Sequence, residues 1–482
     1  MDLDALLLSR LQFAFTIAWH IVFPSFTIGL ASYLAVLEGL WLKTGREAFN
    51  TLYLFWLKVF ALSFGMGVVS GVVMSYQFGT NWSVFSARTG PVLGPLLAFE
   101  VLTAFFLEAS FLGVMLFGWK KVGPRLHFTA TCLVAFGTLV SAFWIIAANS
   151  WMQYPVAFHI DTAGRFVADS WIGVIFSPTF PARYLHMVLA AYLSTALVVG
   201  AASAWRLLKE PGQAESRIAL RMAIGMFALV APLQLVIGDV SGKIVGERQP
   251  SKLAAIEGFW ETRAGQPFNL VAWPDRDAQK NLWEISIPKL GSLITHGSVD
   301  ARVTGLRAFA PADQPPAAVV FWAFRIMVGL GLAMIGLGFW GLWLWVRRRL
   351  ERTRPFLWAT VAMGPAGFIA VIAGWTTAEV GRQPYVVFGA LRTAQAVSPI
   401  LAGQVSASLA AFLVVYAIVF SVGALYILRL VAEGPVPGAE EPPPDVPRAP
   451  GTAQAATPDH DPLAPLPKRG ERPQPGRRGR RT

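Results

Sequence analysis

Val319–Val346 reads VVFWAFRIMVGLGLAMIGLGFWGLWLWV, and Arg347, Arg348 and Arg349 follow it directly. Arg325 is the only charged residue in the run. A helix rises about 1.5 Å per residue, so about 20 apolar residues cross a hydrocarbon core of about 30 Å. This stretch is therefore a membrane span. Eight further runs of the same kind lie at roughly 11–40, 52–78, 92–118, 127–148, 184–207, 219–239, 356–380 and 401–430. The composition agrees: 55% hydrophobic, 14% charged, with 18 Trp and 34 Phe, and a mean hydropathy of +0.52. The predicted fold class is all-α, a polytopic bundle of about nine transmembrane helices.

Loop charge then sets the orientation. The connections after spans 1, 3, 5 and 7 hold Lys43 and Arg46; Lys120, Lys121 and Arg125; Arg206, Lys209, Arg217 and Arg221; and Arg347 to Arg354. The short connections on the other side are poor in Lys and Arg. The positive-inside rule makes the first set cytoplasmic, with the N-terminus outside and the C-terminus inside. The first span begins after the acidic Met1-Asp-Leu-Asp, is too long for a signal peptide and has no small-residue cleavage site, so it is expected to remain. The organisation expected is spans 1–6 in 1–239, an extracytoplasmic loop in 240–318, spans 7–9 in 319–432 and a tail in 433–482. That tail is rich in Pro, Ala, Gly and Arg, and its composition predicts a disordered, basic cytoplasmic segment. With the basic loops it accounts for the net charge of +12 without a nucleic-acid partner. The single cysteine, Cys132, excludes an internal disulfide and cysteine-based clusters.

Four residues able to ligate haem iron interrupt these apolar runs: His20, His186, Met327 and Glu379. Ionisable side chains within a span are costly and point to function. With the orientation above, all four fall in the outer half of the membrane. A low-spin electron-transfer haem takes two axial ligands, and His with Met is a standard pair. His186 with Met327 suits that role. A gas-binding haem keeps one axial position open, which suits His20 and Glu379, one per haem. Arg325 and Arg382 lie close in sequence to Met327 and Glu379 and could neutralise haem propionates. Glu100 and Glu108 are eight residues apart, about 12 Å along span 3, with azimuths differing by roughly 80°. They suit a relay of buried acids carrying protons inward. Asn149, Trp151 and Gln153 form a polar, aromatic cap after span 4.

Several motifs in order then resemble one family. Gly374-Trp-Thr-Thr-Ala-Glu379-Val-Gly-Arg382-Gln-Pro-Tyr385 looks like the GWxxxExGRQPW signature of subunit I of the cytochrome bd-type quinol oxidases, with Tyr385 in place of the final Trp. Phe324-Arg-Ile-Met327-Val-Gly resembles the segment bearing the family's Met haem ligand. Gly238-Asp-Val-Ser-Gly and Lys252-Leu-Ala-Ala-Ile-Glu257 resemble its quinol-loop motifs. The resemblance covers about residues 5–430. It implies a terminal quinol:oxygen oxidoreductase of the bacterial plasma membrane that oxidises ubiquinol or menaquinol at the outer face. Oxygen would be reduced to water with cytoplasmic protons, giving a proton motive force without pumping. It implies three haems: a low-spin haem b on His186 and Met327, and a high-spin haem b and a haem d on His20 and Glu379, with the assignment between those two open. The short loop resembles the cyanide-insensitive-type branch, in which a further haem b can replace haem d. Lys252 and Glu257 would bind quinol, Glu100 and Glu108 would serve haem binding and proton delivery, and Trp375 would sit near a haem. A second membrane subunit, subunit II, is implied as a heterodimer partner, with room for small accessory subunits.

The rival reading is a secondary transporter using its intramembrane His and Glu residues. It calls for internal repeats and mid-depth charges. The sequence has no internal repeat, and its candidate residues gather on one side.

Overall fold

The computed structural model describes residues 4–435; the basic tail expected from the composition lies outside the described residues after Pro435. Among the described residues, nine helices are long and apolar enough to cross a membrane: Ala5–Thr44, Glu47–Thr80, Ser83–Phe117, Pro124–Gln153, Phe180–Lys209, Ala214–Arg248, Pro311–Val346, Arg354–Val380 and Ala402–Glu433 (spans 1 to 9). Asp4 caps span 1, accepting from the backbone N–H of Leu7 at 2.6 Å. Gly45 ends it at φ 69°, a left-handed conformation that glycine adopts without a Cβ clash. Spans 1–2, 3–4, 5–6 and 7–8 are joined by tight basic turns at one end of the bundle. The longer connections, 154–179, 249–310 and 381–401, gather at the opposite end, the loop end.

Lipid tails are as apolar as leucine, so these helices are held by close packing and interhelical hydrogen bonds rather than by water exclusion. Span 1 is the hub and packs on spans 2, 4, 5, 8 and 9. At its crossing with span 5, a Cβ on Gly29 would come within 2.7 Å of the Ala191 carbonyl. Only glycine permits that approach, and Thr195 donates to the Phe26 carbonyl across it at 2.8 Å. Trp56, Phe60, Leu197, Phe227 and Phe356 fill the interior. Spans 5, 6, 7 and 8 close a ring in which 5 packs on 6, 6 on 7, 7 on 8 and 8 on 5. Span 9 lies on the perimeter and exposes Leu413, Val414, Ile418, Val422 and Leu425.

Two local departures from the sequence reading matter for the site. Span 6 runs to Arg248 rather than to 239, so Gly238-Asp-Val-Ser-Gly is helical; Asp239 and Lys243, one turn apart, pair at 2.6 Å within it. Span 3 is not a uniform α-helix: a π-turn occupies Val101–Phe105, between Glu100 and Glu108. A π-turn inserts one residue, taking about 100° off the α-helical azimuth, so the expected 80° offset becomes about 20°. Both acids therefore share one face.

The loop end carries the small structured pieces. A buried helix, Pro250–Glu257, ends at Gly258, whose φ is 67°. It is followed by an antiparallel hairpin, Phe268–Asp275 with Lys280–Ile287, and a short helix, Leu290–His296.

Candidate functional site

The ring of spans 5–8 sets His186 and Met327 on opposite helices, 5 and 7. Twenty residues separate His186 from Arg206, and twenty separate Met327 from Arg347. Both helices are unbroken, so the two side chains stand at one height, about 30 Å from the basic end. Each faces a glycine on a neighbouring helix. A Cβ on Gly374 of span 8 would come within 2.8 Å of Met327 Sδ, and one on Gly238 of span 6 within 3.3 Å of the His186 ring. Gln234 Nε2 lies 3.1 Å from His186 Nε2. His186 Nδ1 and Gln234 Oε1 are buried with no protein partner. Two candidate ligands at one depth on opposite helices, cradled by glycines and flanked by unsatisfied polar atoms, fit a haem between spans 5 and 7. Trp375 is part-buried, one residue after Gly374.

His20 lies across the span 1–2 interface. Its Nδ1 is 3.0 Å from Ser70 Oγ, and a Cβ on Gly71 would come within 3.2 Å of the ring. Pro24 has no N–H for the His20 carbonyl one turn back, which loosens the helix there. Of the glycines in Gly65–Gly71, Gly67 meets Phe23 and Gly71 meets His20, whereas Gly65 faces open space.

Glu379 sits at the loop end of span 8 in a dense polar cluster. It forms an ion pair with Arg382 and accepts from Asn149 Nδ2 and Gln153 Nε2, each at 3.0 Å. Arg183 donates to Asn149 Oδ1 and Ser150 Oγ. Lys252, from the loop helix, donates to Gln153 Oε1 and, at 2.8 Å, to Gln249 Oε1. Gly381 makes room for it, since a Cβ there would meet the Lys252 stem at 2.9 Å. Burial, reinforced by repulsion from Arg183 and Arg382, holds the Lys252 amine well below its usual 10.5. Burial likewise lowers Arg382, opposed by Glu379. Three cations, Arg183, Lys252 and Arg382, thus surround one carboxylate. Arg382 Nε and Nη1 are also buried without partners. A surplus of buried positive charge with free N–H donors fits an anionic group such as a haem propionate.

Arg325 is engaged differently. Its Nη2 pairs with Glu257 at 2.8 Å, and Nε and Nη2 donate to the Asn269 carbonyl at 3.0 and 2.7 Å. With Nη1 donating to the Ile256 carbonyl at 3.4 Å, four of its five N–H groups are directed at the loop. The helix Pro250–Glu257 therefore bridges two places, with Lys252 reaching the Glu379 cluster and Glu257 reaching span 7 two residues before Met327. Lys252 and Glu257 are both buried.

Glu100 and Glu108 line one stripe of span 4. Ser141 donates to Glu100 Oε1 at 2.7 Å. A Cβ on Gly137, one turn away, would come within 2.7 Å of Glu108 Cγ. Glu108 Oε1 is buried with no protein partner. Tyr385 donates to Asp313 at 2.9 Å, and Arg392 pairs with the same carboxylate. No group of three or more His, Cys, Asp or Glu converges as a protein-only metal site among the described residues. Gln234, Gln249, Asn269 and Ser141 were not legible beforehand; a glutamine one turn before Gly238 in an apolar span was the one available signal.

Nine apolar helices among the described residues, enclosing candidate ligands and a buried acid–cation cluster, define a multi-pass membrane protein. The family model for cytochrome bd terminal oxidase subunit I matches residues 8–435, and the chain belongs to that family. It is 36% identical to cytochrome bd ubiquinol oxidase subunit 1 of Bacillus subtilis strain 168, over 89% of this chain and 94% of that protein. It is 35% identical to cytochrome bd-II ubiquinol oxidase subunit 1 of Escherichia coli K12, over 89% and 96%. The structure of the bd oxidase from Geobacillus thermodenitrificans superposes with a TM-score of 0.83 at 28% identity, covering 90% of this chain and all of that one. The transporter reading is set aside.

Proposed function

We propose that this chain is the haem-bearing subunit of a quinol:oxygen oxidoreductase that takes electrons and protons from quinol at the loop end. The opposed His186–Met327 pair at one depth carries the reading. In it, His186 and Met327 would hold a low-spin haem b, and His20 and Glu379 would each hold one of two high-spin haems, a haem b and either haem d or a further haem b. Bound there, the haems supply one-electron storage and the site at which oxygen is reduced.

The chain's own groups do the rest. Glu257, paired with the Arg325 guanidinium at 2.8 Å, takes a quinol proton. Lys252 ties the loop helix to the Glu379 cluster through Gln153 and Gln249, which leaves a third hydrogen-bonding position on Nζ for quinol. Arg382 and Arg183 hold Glu379 in place and offer charge to propionates. Glu108 and Glu100, aligned by the π-turn, pass protons from the basic end toward His20 and Glu379. By the positive-inside rule the loop end is outside. Quinol protons then leave outside while oxygen's protons come from inside, and this separates charge without a pump. A second membrane subunit covers part of the apolar perimeter.

A reduced-minus-oxidised absorption spectrum of the purified complex tests this. Low-spin b bands that Met327→Leu removes selectively are the expected result, and a far-red chlorin band distinguishes haem d from haem b. No haem bands in a folded, haem-supplied sample would overturn the proposal.

A further inference from the structure

The hairpin Phe268–Asp275/Lys280–Ile287 carries six large apolar side chains that stand about half out of the protein: Leu270, Trp273, Leu282, Trp283, Ile285 and Ile287 are 42–61% exposed. Such a patch on a loop surrounded by water would be a liability unless something covers it. Two attachments to span 7 fix where it lies. At the hairpin tip, Arg276 donates to the Pro311 carbonyl, and Gln279 Nε2 bonds Gln314 Oε1 at 2.8 Å. At its base, the Asn269 carbonyl accepts from Arg325 at 2.7 and 3.0 Å. The strand therefore runs down beside the first turns of span 7.

The bilayer can be placed on that same helix. About 20 residues of hydrocarbon, counted back from Arg347, end at Met327. Arg325 then stands at the boundary of the hydrocarbon, and 311–325 crosses the headgroup layer. A headgroup layer of about 5–8 Å takes in the deep end of the hairpin, beside Arg325, and leaves its tip beyond it. The hairpin's polarity follows the gradient. Leu270, Ile285 and Ile287 cluster at the deep end, where Val271 pairs with Ile285 and Phe268 with Ile287. Asp275, Arg276, Asp277 and Lys280 form the shallow tip. Ile326 of span 7, next to Arg325 at that boundary, is itself exposed.

We propose that this hairpin is seated with its deep end in the interfacial layer of the loop-side leaflet and its apolar flank against lipid. The attachment of the Asn269 carbonyl to Arg325, which sets the deep end of the hairpin at the hydrocarbon boundary, makes lipid the occupant. Tryptophan is favoured at that depth, which suits Trp273 and Trp283. An open strand edge is excluded from hydrocarbon but finds water and headgroups in the interface. If quinol is oxidised at Glu257, as proposed above, a lipid-borne substrate meets that residue beside the hairpin base without leaving the bilayer. The seating itself does not depend on that reading.

The test uses the assembled two-subunit oxidase in lipid nanodiscs, on a Cys132→Ser background. A nitroxide is attached at Ile285→Cys and, for comparison, at Asp277→Cys, and its collisions with oxygen and with a water-soluble nickel chelate are measured. At 285 oxygen accessibility is expected to exceed nickel accessibility several-fold, with the ratio reversed at 277. Preference for nickel at 285 overturns the proposal, as does shielding from both reagents, which would mean protein covers the patch. If Ile285→Cys fails to assemble, Leu270→Cys on the facing strand gives the same reading.

Discussion

Arg325→Met isolates the buried ion pair that joins the loop to span 7. Arg325 and Glu257 meet at 2.8 Å with side chains 11% and 5% exposed. Removing one partner of such a pair costs about 3–5 kcal/mol, because the other charge stays buried alone. The Asn269 carbonyl loses its charged donors as well, adding about 1 kcal/mol. An unfolding entropy of about 2.1 cal/mol/K per residue gives about 1.0 kcal/mol/K for a chain of 482 residues, so the midpoint should fall by about 4–6 °C. Met is close in length to Arg and has no polar head, so the loss is electrostatic more than steric. Replacing both residues, Arg325→Met with Glu257→Met, removes the stranded charge and should recover most of that shift. The assay is thermal denaturation of the reconstituted complex at one fixed scan rate, since unfolding of such an assembly is not reversible. A shift below about 1 °C for Arg325→Met, or a double variant no milder than the single one, would refute the view that the pair locks the loop onto span 7.

Other consequences are as direct. Gly374→Ala places a methyl 2.8 Å from Met327 Sδ; the low-spin b band in the difference spectrum should weaken or shift, whereas Gly65→Ala, which meets nothing, should leave it unchanged. Glu108→Gln should lower oxygen turnover by about 10²-fold or more while the KM for quinol stays the same, as measured by steady-state oxygen uptake. Lys252 binds fewer protons folded than unfolded between its lowered value and 10.5, so stability rises with pH across that window. Lys252→Met should flatten the rise, as read from thermal midpoints between neutral and alkaline pH.

The sequence by itself determined the nine spans, because lipid requires each crossing to be a long apolar helix that satisfies its own backbone. It also marked His20, His186, Met327 and Glu379, because a side chain able to ligate iron stands out against an apolar background. It could not show that His186 and Met327 stand on opposite helices of one ring. That required the order in which spans 5 to 8 close into a ring, and packing between helices leaves no period in a single chain. The π-turn in span 3 was equally hidden, since Val101–Phe105 is an ordinary apolar run whose extra residue shows only once the backbone is traced. Arg325 and Lys252 changed meaning for the same reason. Sequence neighbours pointed Arg325 to Met327, whereas the folded loop brought Glu257 and the Asn269 carbonyl within hydrogen-bond reach of it. Which charge answers which is a matter of distances of a few ångströms across residues far apart in the chain, and only the tertiary structure decides those.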